Sequence, residues 1–235
     1  MANKYKDIDD RLKEIKDYAI ALRKASRWSN SNETIAHIQT SNNEETKREY
    51  IYEFYCYLRI LKDLKANYDL ELVPGEKHGV LFPKAPGLKK NYPYFSIKSK
   101  KSGKEKFQLC NGIKIKGRAD EDSAPDISFL NKNADKTPDF NDVFMIHDAK
   151  FKHTDSKKVA DSEFAKVSYM IKNLDCEIPL SKSIKFNEFI NDIDINGNCI
   201  LTNGFAFKTN KNHHKLYNIK EVEQFDINKT PKVIG

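Results

Sequence analysis

Apolar residues recur at intervals of three and four over residues 5–27, with Ile8, Leu12, Ile15, Ala19 and Leu22 on one stripe, which predicts an amphipathic helix. Ser29-Asn30-Ser31-Asn32 ends it, and a short helix is expected over Glu33–Gln39. Ser41 followed by Glu44 has the spacing of a capping box and opens a long helix to about Ala66. Its buried face is marked by Ile51, Phe54, Tyr57, Leu58, Leu61 and Leu64. From there the pattern turns to strands. Asp69–Val73 is a short strand ended by Pro74-Gly75, and an irregular stretch rich in proline follows. Tyr94–Lys98 and Lys106–Lys116 form a hairpin about the turn 99–104. Asp126–Leu130 and Val143–Phe151 are the next strands, joined by the polar loop 131–142. A helix over 156–173, a buried strand over 198–207 and a weak strand or helix near 215–225 complete the chain. Helix, several strands, helix and strand in that order predict an α/β fold with a mixed central sheet flanked by helices. Residues 1–40 form an N-terminal helical extension, and residues 41–235 form the main domain. The stripe of the N-terminal helix needs a cover, which makes it a candidate dimerisation or partner-docking arm.

Composition adds a class and a compartment. With 39% hydrophobic and 32% charged residues in 235, the chain reads as a globular protein with a wet surface. No apolar run approaches the roughly 20 residues that span a bilayer. The first ten residues are charged and lack the apolar core of a signal peptide, so a cytoplasmic location is expected. Cys56, Cys110, Cys176 and Cys199 are far apart, with no Cys-x-x-Cys pair, and read as reduced core residues.

Charge is distributed unevenly. The net charge is +7, and Lys84–Lys106 alone holds eight lysines against one acid. Arg118–Asp148 reverses the balance, with eight acids against three basic residues. A basic segment followed by an acidic one suits a protein that grips a polyanion and holds cations where it acts. A solvated lysine loop explains the lysines equally well. Lys98, Lys100, Lys101, Lys104 and Lys106 on the hairpin are the candidate phosphate contacts. Such contacts position a duplex without reading its sequence.

The sharpest chemistry lies at the end of the Val143–Phe151 strand. Residues two apart share a strand face, so Asp148 and Lys150 project side by side. An acid-x-Lys triplet is a weak signal, because four others occur, at Glu14, Glu45, Asp63 and Asp155. Three of those lie on predicted helices, where residues two apart do not face each other, and Asp155 lies in a polar turn. Only Asp148 ends an apolar strand and follows another acid-bearing strand, which carries Asp126. Cleaving a phosphodiester needs a water made nucleophilic at neutral pH and relief of charge on phosphoryl oxygens. Carboxylate-held Mg2+ supplies both. Asp126, Asp148 and the Ala149 carbonyl are candidate ligands, and Lys150 is the point charge that orients water or stabilises the transition state.

Pro125-Asp126 followed by Asp148-Ala149-Lys150 resembles the PD-(D/E)xK nuclease superfamily, the restriction-endonuclease-like fold. Members often add a glutamate from the helix before the sheet, and Ile51-Tyr52-Glu53-Phe54-Tyr55 occupies that place. This segment is similar to one in McrC-like and related DUF2357 restriction proteins, with Tyr55 where tryptophan is commoner. The resemblance covers about residues 46–207. It implies a Mg2+-dependent DNA endonuclease, with Mn2+ able to substitute, acting in bacterial restriction or anti-phage defence. Glu53, Asp126, Asp148 and Lys150 would be its catalytic set, with Glu53 a further metal ligand. It also implies accessory residues on the following helix, Lys166 and Tyr169, although the family spacing is usually four and here it is three. DNA is the expected partner, with the chain a homodimer or a subunit of a larger complex. A non-catalytic nucleic-acid-binding module and an RNase on the same fold remain alternatives. His147 alternates away from Asp148 and reads as a packed histidine. His153 is a weaker phosphate-contact candidate, and His213-His214 reads as a surface turn.

Overall fold

The apolar stripe of the long predicted helix is buried, and so is much of the rest of that helix. The computed structural model describes residues 10–17, 44–152, 158–176, 195–205, 210–226 and 230–234. Helix α1 covers residues 10–17, and α2 is Glu44–Asn67. Burial of the predicted stripe alone would leave Tyr52, Tyr55 and Cys56 exposed, yet all three are buried. The reason is α1. Its Leu12 and Ile15 join the same core, the Arg11 guanidinium lies over the Tyr52 and Tyr55 rings, and Tyr55 donates a hydrogen bond to Glu14 Oε2 at 2.9 Å. So Leu12 and Ile15, the described part of the N-terminal stripe, are buried in the same core as α2. The remainder of that expected helix, Ser41 and the Glu33–Gln39 helix lie outside the described residues.

The strands are β1 (Tyr68–Val73), β2 (Gly87–Leu88), β3 (Tyr94–Ser99), β4 (Glu105–Asn111), β5 (Ile113–Lys116), β6 (Asp122–Ser123), β7 (Ile127–Asn131) and β8 (Val143–Lys150). Helix α3 (Asp161–Asn173), β9 (Cys199–Thr202), helix α4 (Lys211–Tyr217), β10 (Lys220–Glu223) and β11 (Lys232–Ile234) follow. Among the described residues, eight strands form one mixed sheet in the order β1-β3-β4-β7-β8-β9-β10-β11, and β2-β5-β6 form a small second sheet. Neighbours from β1 to β8 run antiparallel, whereas β9 runs parallel to β8 after the crossover through α3.

Alternation along the strands sorts the core into two layers. Phe107, Leu109, Phe129, Met145, Ala149 and Leu201 pack with α2, while Cys110, Ile146 and Ile200 pack with Phe164, Val167 and Ile171 of α3. Burying each such side chain contributes roughly 1.5–3 kcal/mol. With a helix on each face, the central strand β8 is buried on both sides, as its near-continuous apolar run implies.

Several expectations are corrected. The predicted strand 106–116 is two strands. Gly112, at φ +56°, turns the chain between β4 and β5, a conformation that suits glycine. The hairpin reverses at Ser99–Glu105 as expected. The weak tail element is a helix and then a strand, α4 and β10, separated by Asn218 in the left-handed region at φ +51°. His213 and His214 belong to α4, not to a surface turn. His214 is buried and meets Glu221 Oε2 at 2.9 Å. The strand predicted over 198–207 is shorter, β9, and ends at Thr202. All four cysteines are free and buried.

Candidate active site

Strand register brings the two aspartates together. The last β7–β8 pair is Ile127↔His147, so Asp126 and Asp148 stand opposite one another one step beyond it. Directly opposite like charges repel at that spacing. The Asp126 carboxylate is anchored at the edge, where its Oδ2 accepts a hydrogen bond from Ala149 N–H at 2.6 Å. Its carbonyl accepts from Asn111 Nδ2 at 3.0 Å and from Gly112 N–H at 2.9 Å. The turn that splits β4 from β5 therefore fixes Asp126 as well.

Asp148 and Lys150 face the α3 side. Asp148 is 4% exposed, and the Lys150 ammonium lies 2.5 Å from its Oδ2. Glu53 reaches the same edge from α2, on the other face of the sheet. Its closeness to the aspartates registers in its acidity. Burial, then the nearby Asp148 carboxylate, raises the Glu53 pKa to about 7 against the pull of Lys150. Burial, then Glu53 and Asp148, raise Asp126 well above the ordinary carboxylate range. Burial alone would lower the Lys150 pKa, but Asp148, Asp126 and Glu163 outweigh it and hold the ammonium above the ordinary lysine range.

Sequence reasoning missed Glu163. It sits in the first turn of α3, with Oε2 3.3 Å from Lys150 Nζ and Oε1 2.9 Å from Lys166 Nζ. Those two lysines outweigh its burial and hold it below the usual carboxylate range. An acid in the opening turn of the helix after the Asp-x-Lys strand was the available signal. Lys152 was also missed. It continues the 148–150 alternation, and the Asn203 side chain clamps its backbone, accepting from Lys152 N–H at 2.6 Å and donating to its carbonyl at 2.9 Å.

A cleft of about 630 Å³ opens beside Asp148 and Lys150, between β6 and α3. Glu163, Lys166, Tyr169 and Met170 line it from α3, and Asp122 and Ser123 line it from the opposite wall. Lys166 and Tyr169 thus share the cleft with the acids. Tyr169 donates to Glu121 Oε2 at 2.8 Å, and Lys166 is held by Glu163.

The hairpin lysines are not brought to this site. Asn111 of β4 lies at the acid edge, and Glu105 lies at the other end of that strand, roughly 20 Å away at strand rise. Lys98 pairs with Glu71, and Lys100 donates to the carbonyls of Lys65 at 3.0 Å and Ala66 at 2.7 Å, closing the C-terminus of α2. Lys101, Lys104 and Lys106 are exposed at that far end. His147 is a packed core histidine, as its alternation predicts. Its Nε2 lies 3.0 Å from the Gly197 carbonyl and its ring meets Phe129 edge-on. Burial lowers its pKa to about 4. His153 lies outside the described residues.

The donors at the edge are hard oxygens, namely the carboxylates of Glu53, Asp126 and Asp148 and the Ala149 carbonyl. That set suits Mg2+ or Mn2+ and not a soft metal. Among the described residues no group of three or more His, Cys, Asp or Glu side chains is placed so that it could hold a metal ion. Burial first, and then the neighbouring carboxylates, raise Glu53 and Asp126, and a bound dication would offset both, so the residues fit such an ion in charge and in donor type. Comparison of the chain with protein-family models, with curated proteins and with solved structures returns no match.

Proposed function

We propose that this chain is a metal-dependent endonuclease of the PD-(D/E)xK kind, hydrolysing DNA phosphodiester bonds in bacterial restriction or anti-phage defence. One observation carries the reading. Glu53, Asp126, Asp148 and Lys150, drawn from α2, β7 and β8, come together at one end of the central strands, and two of the acids are raised there by burial and by their neighbours. A structural ion pair needs one acid and one base, not three acids around a half-buried lysine. The order of helix, strands, helix and strand is also the one that the hydrophobic pattern predicts.

On this reading Glu53, Asp126, Asp148 and the Ala149 carbonyl hold Mg2+, or Mn2+ in its place. When bound, the ion supplies an activated water and charge relief on phosphoryl oxygens. Lys150 stays protonated at neutral pH, so it serves as a fixed positive charge beside the phosphate and not as a base. The burial of Asp148 lowers the local dielectric and strengthens that charge at the reacting group. Lys166, on the exposed rim of the cleft, offers a second contact to the phosphate backbone. A soluble cytoplasmic protein acting as a dimer or as the cutter in a larger complex fits this activity. Among the described residues, no helix is long and apolar enough to cross a membrane.

The test is Mg2+- and Mn2+-dependent cleavage of methylated and unmethylated plasmid, with single-stranded DNA and RNA as competing substrates and Asp148→Ala protein as control. Cleavage by the wild type alone is expected. DNA left intact by the wild type with either ion sinks the proposal, and preferred cleavage of RNA replaces it with a ribonuclease.

A further inference from the structure

Lys150 faces two carboxylates at once. Its Nζ lies 2.5 Å from Asp148 Oδ2 on its own strand and 3.3 Å from Glu163 Oε2 on α3. The nearer pair poses a problem for the proposed activity. A carboxylate paired directly with an ammonium is a poor ligand for a dication, because its charge is already spent and the ammonium repels the incoming ion. Asp148 must give up Lys150 before it can hold Mg2+. Lys150, with its side chain 24% exposed, cannot simply be set loose, since a cation in that setting is costly without a partner.

Glu163 answers both needs. It sits within ion-pair distance of Lys150, and it is kept charged and in place by Lys166 at 2.9 Å. The Lys166 side chain is 69% exposed, so it can neutralise Glu163 without itself entering the crowded edge. Asp148, Lys150, Glu163 and Lys166 thus form a row of alternating charge running from the buried strand to the rim of the cleft.

We propose that Glu163 is a positioning residue that takes Lys150 from Asp148 and so frees Asp148 to bind the metal ion. The inference rests on the nuclease reading. In this role Glu163 touches neither substrate nor ion and acts only through Lys150.

The test is Mn2+ affinity of the full chain by titration calorimetry, in the wild type, Glu163→Gln, Lys150→Met and the double variant. Glu163→Gln should bind Mn2+ about tenfold more weakly, in the range seen when the partner of a metal ligand is removed. Lys150→Met should bind at least as tightly as the wild type, because Asp148 no longer has a competing cation. In the Lys150→Met background, adding Glu163→Gln should change the affinity by less than about twofold, since the two act as one unit. Glu163→Asp keeps the charge and should recover most of the loss, which separates lost positioning from lost folding. Equal affinity in Glu163→Gln and wild type overturns the inference. So does an equal loss with and without Lys150, which would mean that Glu163 merely attracts the ion through space. A wild type that binds no Mn2+ overturns the nuclease reading itself, and this inference with it.

Discussion

The two ends of the central sheet carry charge in opposite ways. At the hairpin end, lysines are dense in sequence, exposed, and partly spent on structure, with Lys98 on Glu71 and Lys100 on the end of α2. At the acid end, charges are few, buried or half-buried, and drawn from elements far apart in the chain. Local charge density records what solvent tolerates. Charges held together against repulsion record something the fold must be built to enforce.

Substitutions at the two ends should differ most in their effect on cleavage. Asp148→Ala should reduce DNA cleavage by about 10³-fold, the scale of losing a preorganised charged group at a reacting centre. The triple change of Lys101, Lys104 and Lys106 to alanine should alter it by about twofold or less, as expected of exposed charges roughly 20 Å away. A larger loss at the hairpin than at Asp148, in the same plasmid assay, would reverse the assignment of the two ends.

Stability gives the next largest effect. The Glu53 pKa is about 7 in the folded chain against an ordinary 4.5, so the folded state keeps a proton that the unfolded state has lost. Stability from this group therefore falls as pH rises from 4.5 to 7 and stays low above that. Glu53→Gln should stabilise the metal-free protein by about 2 kcal/mol at pH 8 and by nothing near pH 4.5. Urea melts at both pH values measure it. His147 has the opposite sign. Its pKa near 4 favours the neutral ring, so its contribution is lost as pH falls from 6.5 toward 4, and it cancels when variant and wild type are compared at one pH. A Glu53→Gln variant less stable at pH 8 would mean that neither burial nor the neighbouring Asp148 disfavours the charged Glu53 carboxylate.

The smallest effect belongs to Lys100. Its alanine variant should lose about 0.5 kcal/mol, the worth of an exposed cation at a helix C-terminus, with cleavage unchanged. A drop in cleavage without a drop in stability would return the hairpin to the site.

Much of this was legible in the sequence where one physical rule decides the outcome. Apolar periodicity gave α2, β7 and β8, and alternation placed Asp148 with Lys150 and turned His147 into the core. What could not be read depended on partners distant in sequence. Tyr52 and Tyr55 look surplus to the α2 stripe until α1 covers them. Strands of two residues, such as β2 and β6, are too short to show a period. The lysines of the hairpin were assigned by charge, yet which end of a strand they occupy depends on sheet register, and the register comes from pairing. Glu163 escaped notice because its distance to Lys150 exists only once α3 is packed against β8.

One residue far from the acids governs the shape of their surroundings. Asn173, at the end of α3, accepts a hydrogen bond from Ala119 N–H at 2.9 Å, donates to the Glu121 carbonyl at 3.1 Å and to Ser123 Oγ at 3.0 Å, and its own carbonyl accepts from Arg118 N–H at 2.8 Å. A side chain at Gly117 would collide with the Asn173 amide at 2.0 Å. The two walls of the cleft are thus bolted together at one end like the jaws of a caliper, and a single asparagine sets their gauge. Amide protons of Arg118 and Ala119 should exchange with solvent far more slowly than their place in a surface turn would imply.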